Sequence, residues 1–367
     1  VTLVQEALPP GSGIIDLGEH RLRDLTSAEH VFQISHPSLP NDFPPLRSLG
    51  SYTHNLPQQL SSFIGRQGEI EAVINHLDNT RLLTLFGVGG TGKTRLMIQV
   101  AAQVLENYKD GVWLVELASL SDPAQMVERV AATFSIGEQP GQPLLETLTD
   151  YFRYKQSLLL LDNCEHMITA SAQLVEHLLL ACPQLTVLAT SREGLAIAGE
   201  VTFQVPSLSL PAQEQTTMDD LMTSECVQLF AERAQAATPS FKITPQNARF
   251  IAQICRRLDG IPLAIELAAA RVQVLSAEQI AARLKDRFRL LTGGSRTALP
   301  RQQTLQALID WSWDLLSEPE RRLLRHLSVF SGGWTLEAAE ALAGGHADDL
   351  APTDPLDVLE GLTQLVS

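Results

Sequence analysis

The sequence predicts an α/β fold: a parallel five-stranded sheet carrying a glycine-rich loop, followed by all-helical units. Three observations predict it. Short apolar runs alternate with helical patterns between residues 81 and 205. A loop rich in glycine and ending in Lys93-Thr94 follows the first run directly. Strand signals stop beyond Pro206.

The runs are 81–86 (RLLTLF), 112–117 (VWLVEL), 157–161 (SLLLL), 185–189 (LTVLA) and 201–205 (VTFQV). Short continuous apolar runs are what strands covered on both faces need. Helical spacing at 95–105, 123–134, 144–154 and 166–180 separates the first four from their neighbours. This alternation implies βαβ units, and right-handed crossovers leave few topologies. After Pro206, residues 226–237, 245–258, 263–274 and 277–284 follow helical spacing. The last is opened by a capping-box pattern, Ser276 with Gln279. A break at Gly293-Gly294 precedes a third unit, with helices expected at 302–316, 318–327, 336–342 and 356–365.

Residues 1–60 are rich in proline and turn formers. Two strand-like runs, 13–17 and 31–34, flank a polar turn there, and the remainder reads as linker. The expected division is an N-terminal piece at 1–36, a linker at 37–60, the α/β domain at 61–206, a helical lid at 207–294 and a third domain at 295–367.

Composition narrows the function classes. With 44% hydrophobic and 19% charged residues in 367, the chain has ample apolar surface to bury, so whole-chain disorder is excluded. Its 27 basic and 42 acidic residues give a formal charge of −15. That argues against coating nucleic acid or anionic lipid, which needs clustered cations. No apolar run approaches the ~20 residues of a membrane span, and no signal peptide is visible in residues 1–10. Cys164, Cys182, Cys226 and Cys255 are widely spaced, which predicts reduced buried thiols rather than a disulfide framework or a zinc site. These features predict a cytoplasmic protein with no membrane partner. The first residue is Val1, which suggests a chain cut from something longer.

Gly87-Val88-Gly89-Gly90-Thr91-Gly92-Lys93-Thr94 matches the phosphate-loop pattern G-x-x-x-x-G-K-[ST]. Glycines let successive backbone amides turn inward around phosphate oxygens. Lys93 neutralises β/γ charge, Thr94 offers its hydroxyl to Mg²⁺, and the helix entered through Arg95 directs its positive end at the anion. The expected partner is an apolar strand ending in aspartate, and 158–161 followed by Asp162 supplies it. Asp162 would hold the magnesium, a second metal-site residue beside Thr94. The run 112–117 is expected as an added strand between the two phosphate-site strands. No N-K-x-D segment of guanine readers is present, so adenine is favoured. Thr190-Ser191-Arg192 ends the next strand at the same sheet edge, where Arg192 would sense the γ-phosphate or stabilise transferred charge; a solvated strand-end arginine is the alternative. Gly260-Ile261-Pro262-Leu263 opens a helix with proline in its first turn.

With these elements in order, the sequence resembles the STAND class of signalling NTPases, in particular the NB-ARC-type ATPases of bacterial regulators. The resemblance covers residues 63–367 and rests on Phe63-Ile64-Gly65-Arg66, the 87–94 loop, Asp162, Thr190-Ser191-Arg192 and Gly260-Ile261-Pro262-Leu263. The segment Trp311-Ser312-Trp313-Asp314-Leu315-Leu316 resembles the start of the winged-helix module that follows in that class. The resemblance implies that Ile64, Gly65, Arg66 and Pro262 flank the adenine. Residues 15–25 and 31–34 are similar to the far end of class III nucleotide cyclase domains; the metal-binding aspartates of a cyclase would lie upstream, so no cyclase activity is expected of this chain.

Two departures stand out. Where family members often place a second acidic residue after the magnesium aspartate, this chain has Asn163; Glu165 or His166 could activate water instead, or simply begin the next helix. The sequence also stops before the Met-His-Asp segment of the winged helix. The expectation is a slow ATPase switch, in which ATP or ADP with Mg²⁺ controls domain opening and self-association or protein partners. The alternatives are a DNA-binding transcriptional regulator with an ATPase module, or a plain metabolic P-loop ATPase. DNA binding by 295–367 is not expected, because no Lys or Arg follows Arg325.

Overall fold

In the computed structural model, residues 12–20, 29–36, 53–120, 122–212, 218–284, 316–330 and 334–344 are described, with Asp310, Trp313, Val358, Leu359 and Leu362 besides. Two strands near the N-terminus, β1 (Gly13–His20) and β2 (Glu29–Ser35), pair antiparallel with Ile14 opposite Ile34. His30 bonds Asp16 across the hairpin at 2.7 Å.

The five apolar runs form β3 (Leu82–Phe86), β4 (Val112–Glu116), β5 (Leu158–Asp162), β6 (Thr186–Thr190) and β7 (Val201–Gln204). They make one parallel sheet in the order β4-β5-β6-β3-β7. Helices α1 (Gln67–Leu77) and α2 (Lys93–Gln103) cover one face; α3 (Met126–Thr133), α4 (Leu144–Phe152) and α5 (Ile168–Ala181) cover the other. Side chains alternate between the faces with the strand period of two. Leu158 and Leu160 of β5 join the core of α1 and α2, while Leu159 and Leu161 join that of α3, α4 and α5.

One expectation is corrected. The strand between the two phosphate-site strands is β6, whose Val187 lies opposite both Leu82 of β3 and Leu159 of β5; the VWLVE run, β4, is outermost. The reason is burial. All five residues of β6 are buried, whereas β4 exposes Glu116 and leaves Trp113 half-buried. A central strand of a parallel sheet must be covered on both faces, and β6 fits that place.

The outer edge of β4 is closed by residues 53–56. Thr53 O accepts from Val112 N at 3.1 Å, and the Asn55 side chain both accepts from Leu114 N (2.6 Å) and donates to Leu114 O (2.8 Å). An exposed ladder edge is thereby satisfied. Residues 53–55, within the segment expected as linker, 37–60, thus lie at the sheet edge.

Beyond the sheet, α6 (Met218–Met222), α7 (Glu225–Ala237), α8 (Pro245–Arg257), α9 (Pro262–Ala269) and α10 (Ala277–Arg283) share a separate core around Phe230, Ile254, Ile265 and Ile280. The Ser276–Gln279 capping box is made in both directions, at 3.1 and 3.2 Å. The helix expected at 263–274 ends at Ala269 and tightens into a 3₁₀ turn, Ala270–Gln273. A small third core joins Leu323 and Leu327 of α11 (Glu318–Leu327), Ala339 of α12 (Leu336–Gly344), Val358 and Leu362. The Gly293-Gly294 break, Trp311, and most of the helices expected at 302–316 and 356–365 lie outside the described residues. All four cysteines are buried and unbridged. Among the described residues, no helix is long and apolar enough to cross a membrane.

Candidate functional site

The turn after β3 and the start of α2 form the loop that the sequence singled out. Gly87, Gly90 and Gly92 all take positive φ, at 141°, 80° and 88°. Gly92 is the N-cap of α2, so Lys93, Thr94 and Arg95 occupy its first turn. Unpaired amides at that terminus, together with the helix dipole, make an anion site from backbone alone. The Thr91 hydroxyl bonds back to Val88 O at 2.9 Å and braces the loop. Lys93 is 9% exposed, and its Nζ donates to Gly87 O at 2.6 Å, so the ammonium lies over the loop it serves.

Asp162, at the end of β5, is 3% exposed. Its Oδ1 accepts from Thr94 Oγ1 and from Thr190 Oγ1, each at 2.6 Å, and its Oδ2 from Asn163 Nδ2 at 2.6 Å. Strand order explains the meeting: β6 lies between β3 and β5 and delivers Thr190 beside both. A hydroxyl and a carboxylate joined at the phosphate end of α2 suit Mg²⁺, a hard cation held by one or two protein oxygens plus phosphate and water. Thr94 and Asp162 would hold it. Among the described residues there is no denser cluster of metal-ligating side chains.

A cavity of about 360 Å³ opens beside the loop. Of the residues expected at the site, Ile64, Arg66, Gly89, Gly90, Thr91, Gly92, Lys93, Thr94, Arg95, Glu165 and Pro262 line it. Asp162 stands behind Thr94, and Gly87 and Val88 begin the loop after β3; none of the three is in the lining. Gly65 backs onto Glu225, where any Cβ would run into the carboxylate. Arg192 is half-buried and outside the lining. The Ser191 amide still bonds Leu85 O at 3.1 Å, so the chain leaves the ladder only at Arg192 itself.

Arg66 does a different job from a surface cation. It is 3% exposed, with φ 62°, and its guanidinium donates to Thr91 O (2.6 Å) and Pro206 O (2.9 Å). Burial lowers its pKa, with Glu69 and Glu225 opposing the shift. Its backbone amide donates to Glu225 Oε1 at 2.5 Å, and Glu225 Oε2 accepts from Ser209 N at 3.1 Å. One carboxylate of the helical unit thus anchors the start of α1.

The helical unit closes the cavity. Pro262 is the first residue of α9, and the amide of Leu263 donates to Gly90 O of the loop at 3.2 Å. Leu208, Leu229, Leu263 and Glu266 complete that wall. Glu266 accepts from Arg233 Nε at 2.9 Å and reaches Arg95 Nη1 at 3.4 Å. Arg95 also donates to Ser62 O at 2.8 Å and lies over the Phe63 ring. Burial lowers the Arg95 pKa, with Glu266 as the main opposing charge. Sequence reasoning missed Glu225, Leu229 and Glu266. They lie far along the chain from the loop, on helices whose local pattern signals only packing.

Of the two candidates for activating water, His166 is outside the cavity lining, with its Nε2 against Leu117 O and Leu120 O, each at 3.1 Å. Glu165 remains at the cavity.

Comparison with known proteins agrees with this geometry. Residues 76–198 match the family model described as an AAA domain. An uncharacterized protein of Mycobacterium tuberculosis is 40% identical over 319 residues, covering 86% of this chain and 78% of its own length. A second M. tuberculosis protein, provisionally named an HTH-type transcriptional regulator, is 47% identical over 290 residues, 79% of this chain. The chain spans about a third (31%) of that relative's length. Among solved structures, a Walker-type ATPase of Pyrococcus abyssi superposes with a TM-score of 0.50 at 14% identity, covering 82% of this chain and 89% of its own; it shows the shared fold. With an AAA-type P-loop ATPase domain at its centre, the chain belongs to the family of the 40%-identical mycobacterial protein.

Proposed function

We propose that this chain is an adenine-nucleotide switch of the STAND, NB-ARC-like kind, working within a larger multidomain regulator. The observation that carries this is the shared cavity: the loop with Thr94, which Asp162 backs, and the α9 wall with Pro262 face one space. A nucleotide there touches the sheet and the helical unit together, so ADP and ATP bind closed and open arrangements unequally. That inequality is what a population shift requires. In this reading 207–294 is the lid, Thr94 and Asp162 hold Mg²⁺, Ile64, Gly65, Arg66 and Pro262 flank the adenine, and Arg192 meets the γ-phosphate once the lid moves. The third unit serves as a winged-helix-like interaction module, and opening favours self-association. Hydrolysis is slow, as befits a timer.

The relative's printed name favours a specific output, transcriptional control, exerted by the whole regulator rather than by this segment. The β1–β2 hairpin fits the end of a cyclase-like unit, and we assign it no cyclase activity.

The test is nucleotide-dependent stability. ADP at ~100 times its dissociation constant should stabilise the protein by about 2.7 kcal/mol. Lys93→Ala should remove most of that gain. Identical melting with and without ADP in the unaltered chain would refute nucleotide binding.

A further inference from the structure

The residue after the magnesium aspartate, where a carboxylate base would be convenient, is Asn163. The structure gives it another task. It sits in the left-handed region, φ 65° and ψ 55°, which asparagine tolerates better than most residues. Its amide side chain donates to Asp162 Oδ2 at 2.6 Å, and its backbone amide donates to Thr190 Oγ1 at 2.9 Å. Asn163 therefore orients the aspartate and turns the chain. That turn leads directly into the 3₁₀ segment Cys164–Met167, which returns Glu165 to the cavity.

Two carboxylates line the cavity, Glu165 and Glu266. Glu266 is engaged by Arg233 and Arg95. Glu165 differs: its Oε2 is buried, yet no protein donor bonds it. A buried carboxylate oxygen without a donor is costly, and such groups in folded proteins generally have a role that repays the cost. His166, next along the chain, is outside the cavity lining, and its Nε2 lies between two carbonyl oxygens.

We propose that Glu165 is the general base of ATP hydrolysis, displaced by two residues from the position after the magnesium aspartate. The inference rests on the ATPase reading of this site. In the step, a water held by the Glu165 carboxylate attacks the γ-phosphorus and gives its proton to that carboxylate. The new P–O bond forms as the bond to the β–γ bridging oxygen breaks, and ADP leaves with the electron pair. The proton then passes to the inorganic phosphate or to solvent. Asn163 and Thr190 act as positioning residues, holding Asp162 so that its oxygens serve the metal while Glu165 serves the water.

The experiment compares the 367-residue chain with its Glu165→Gln and Glu165→Ala variants. ADP affinity is measured by calorimetry and MgATP cleavage by single-turnover assay. Positioned general bases contribute roughly 10²–10⁴-fold. Glu165→Gln should therefore bind ADP within about twofold of the unaltered chain while its cleavage rate falls tenfold or more. Sodium formate, a carboxylate small enough to enter the space left by Glu165→Ala, should restore part of that variant's rate. A fall of less than tenfold in Glu165→Gln overturns the assignment. So does a loss of ADP affinity that parallels the loss of rate, or a Glu165→Ala variant that formate leaves unmoved, since both indicate a structural role. An unaltered chain that binds ADP but cleaves no MgATP also overturns it. An unaltered chain that binds no nucleotide refutes the ATPase reading itself.

Discussion

Gly260 shows what a single residue settles at this site. It has φ 67°, and a Cβ there would run into the Leu208 carbonyl oxygen, while Leu208 N donates to Gly260 O at 3.0 Å. This glycine lets the 206–210 segment press against the turn that launches α9 and Pro262. Gly260→Ala should destabilise the chain by about 1–3 kcal/mol, the usual cost of a strained backbone position, read from the urea midpoint. A midpoint unchanged within error would show that the turn yields freely. At this scale the sequence was most legible where chemistry demands residue types in an unbroken run. Gly87 to Thr94 could be read directly, and so could Asp162, because an aspartate closing an apolar strand is itself a local pattern. Asn163 was legible only as a missing carboxylate; its bond to Asp162 depends on a left-handed backbone that no neighbouring residue announces. Glu225 reaches the amide of Arg66 across 159 positions of sequence, and nothing near either residue marks the other.

Elements were read with unequal success for a physical reason. Apolar runs and helical spacing report which faces are buried, so the five strands and the helices of the 207–284 region could be placed. They do not report neighbours, and the position of β6 between β3 and β5 came only from the structure. The same holds for the joint between α2, α7 and α9. Arg95 belongs to α2, Arg233 to α7 and Glu266 to α9, and the two arginines share the one glutamate. Glu232 pairs with Arg233 at 2.6 Å and also accepts from the Ser62 hydroxyl, which ties in the segment before α1. The groups are 14–32% exposed, so solvent screens them only in part. Glu266→Ala leaves two guanidinium groups facing the gap without their shared partner. We expect it to cost about 1 kcal/mol, and a double-mutant cycle with Arg233→Ala should show coupling of at least 0.5 kcal/mol, the ~0.5–3 kcal/mol range of residues in one network. Additive single effects would mean that the joint is held by its apolar wall of Leu229 and Leu263 instead.

For the whole molecule, the sharpest question is raised by the relative named as an HTH-type regulator, of whose length this chain spans 31%. Its name permits DNA contact anywhere in that longer protein, and the charge distribution here argues against such contact in this segment. Helix-turn-helix readers put a helix into the major groove and meet phosphates with Arg and Lys. After Arg325 the sequence contains no Lys or Arg, while Glu337, Glu340, Asp348, Asp349, Asp354, Asp357 and Glu360 follow. Arg325, the last cation, is paired with Glu318 at 2.6 Å and lies over the Trp313 ring. The sequence beyond Arg325 is therefore acidic, and carboxylates repel a duplex rather than release its counterions. Net charge deepens the effect, since −15 acts at long range when salt is low. We expect the complete chain to show no binding to mixed-sequence duplex DNA at ~50 mM salt, with or without ADP. Non-specific DNA binders reach dissociation constants of about 10⁻⁴–10⁻⁶ M even at physiological salt. Micromolar binding that weakens steeply as salt rises would place a DNA-reading surface within these residues and shift the acidic third unit from a protein contact to something else. Absence of binding under those conditions is the outcome expected if the acidic third unit serves a protein contact.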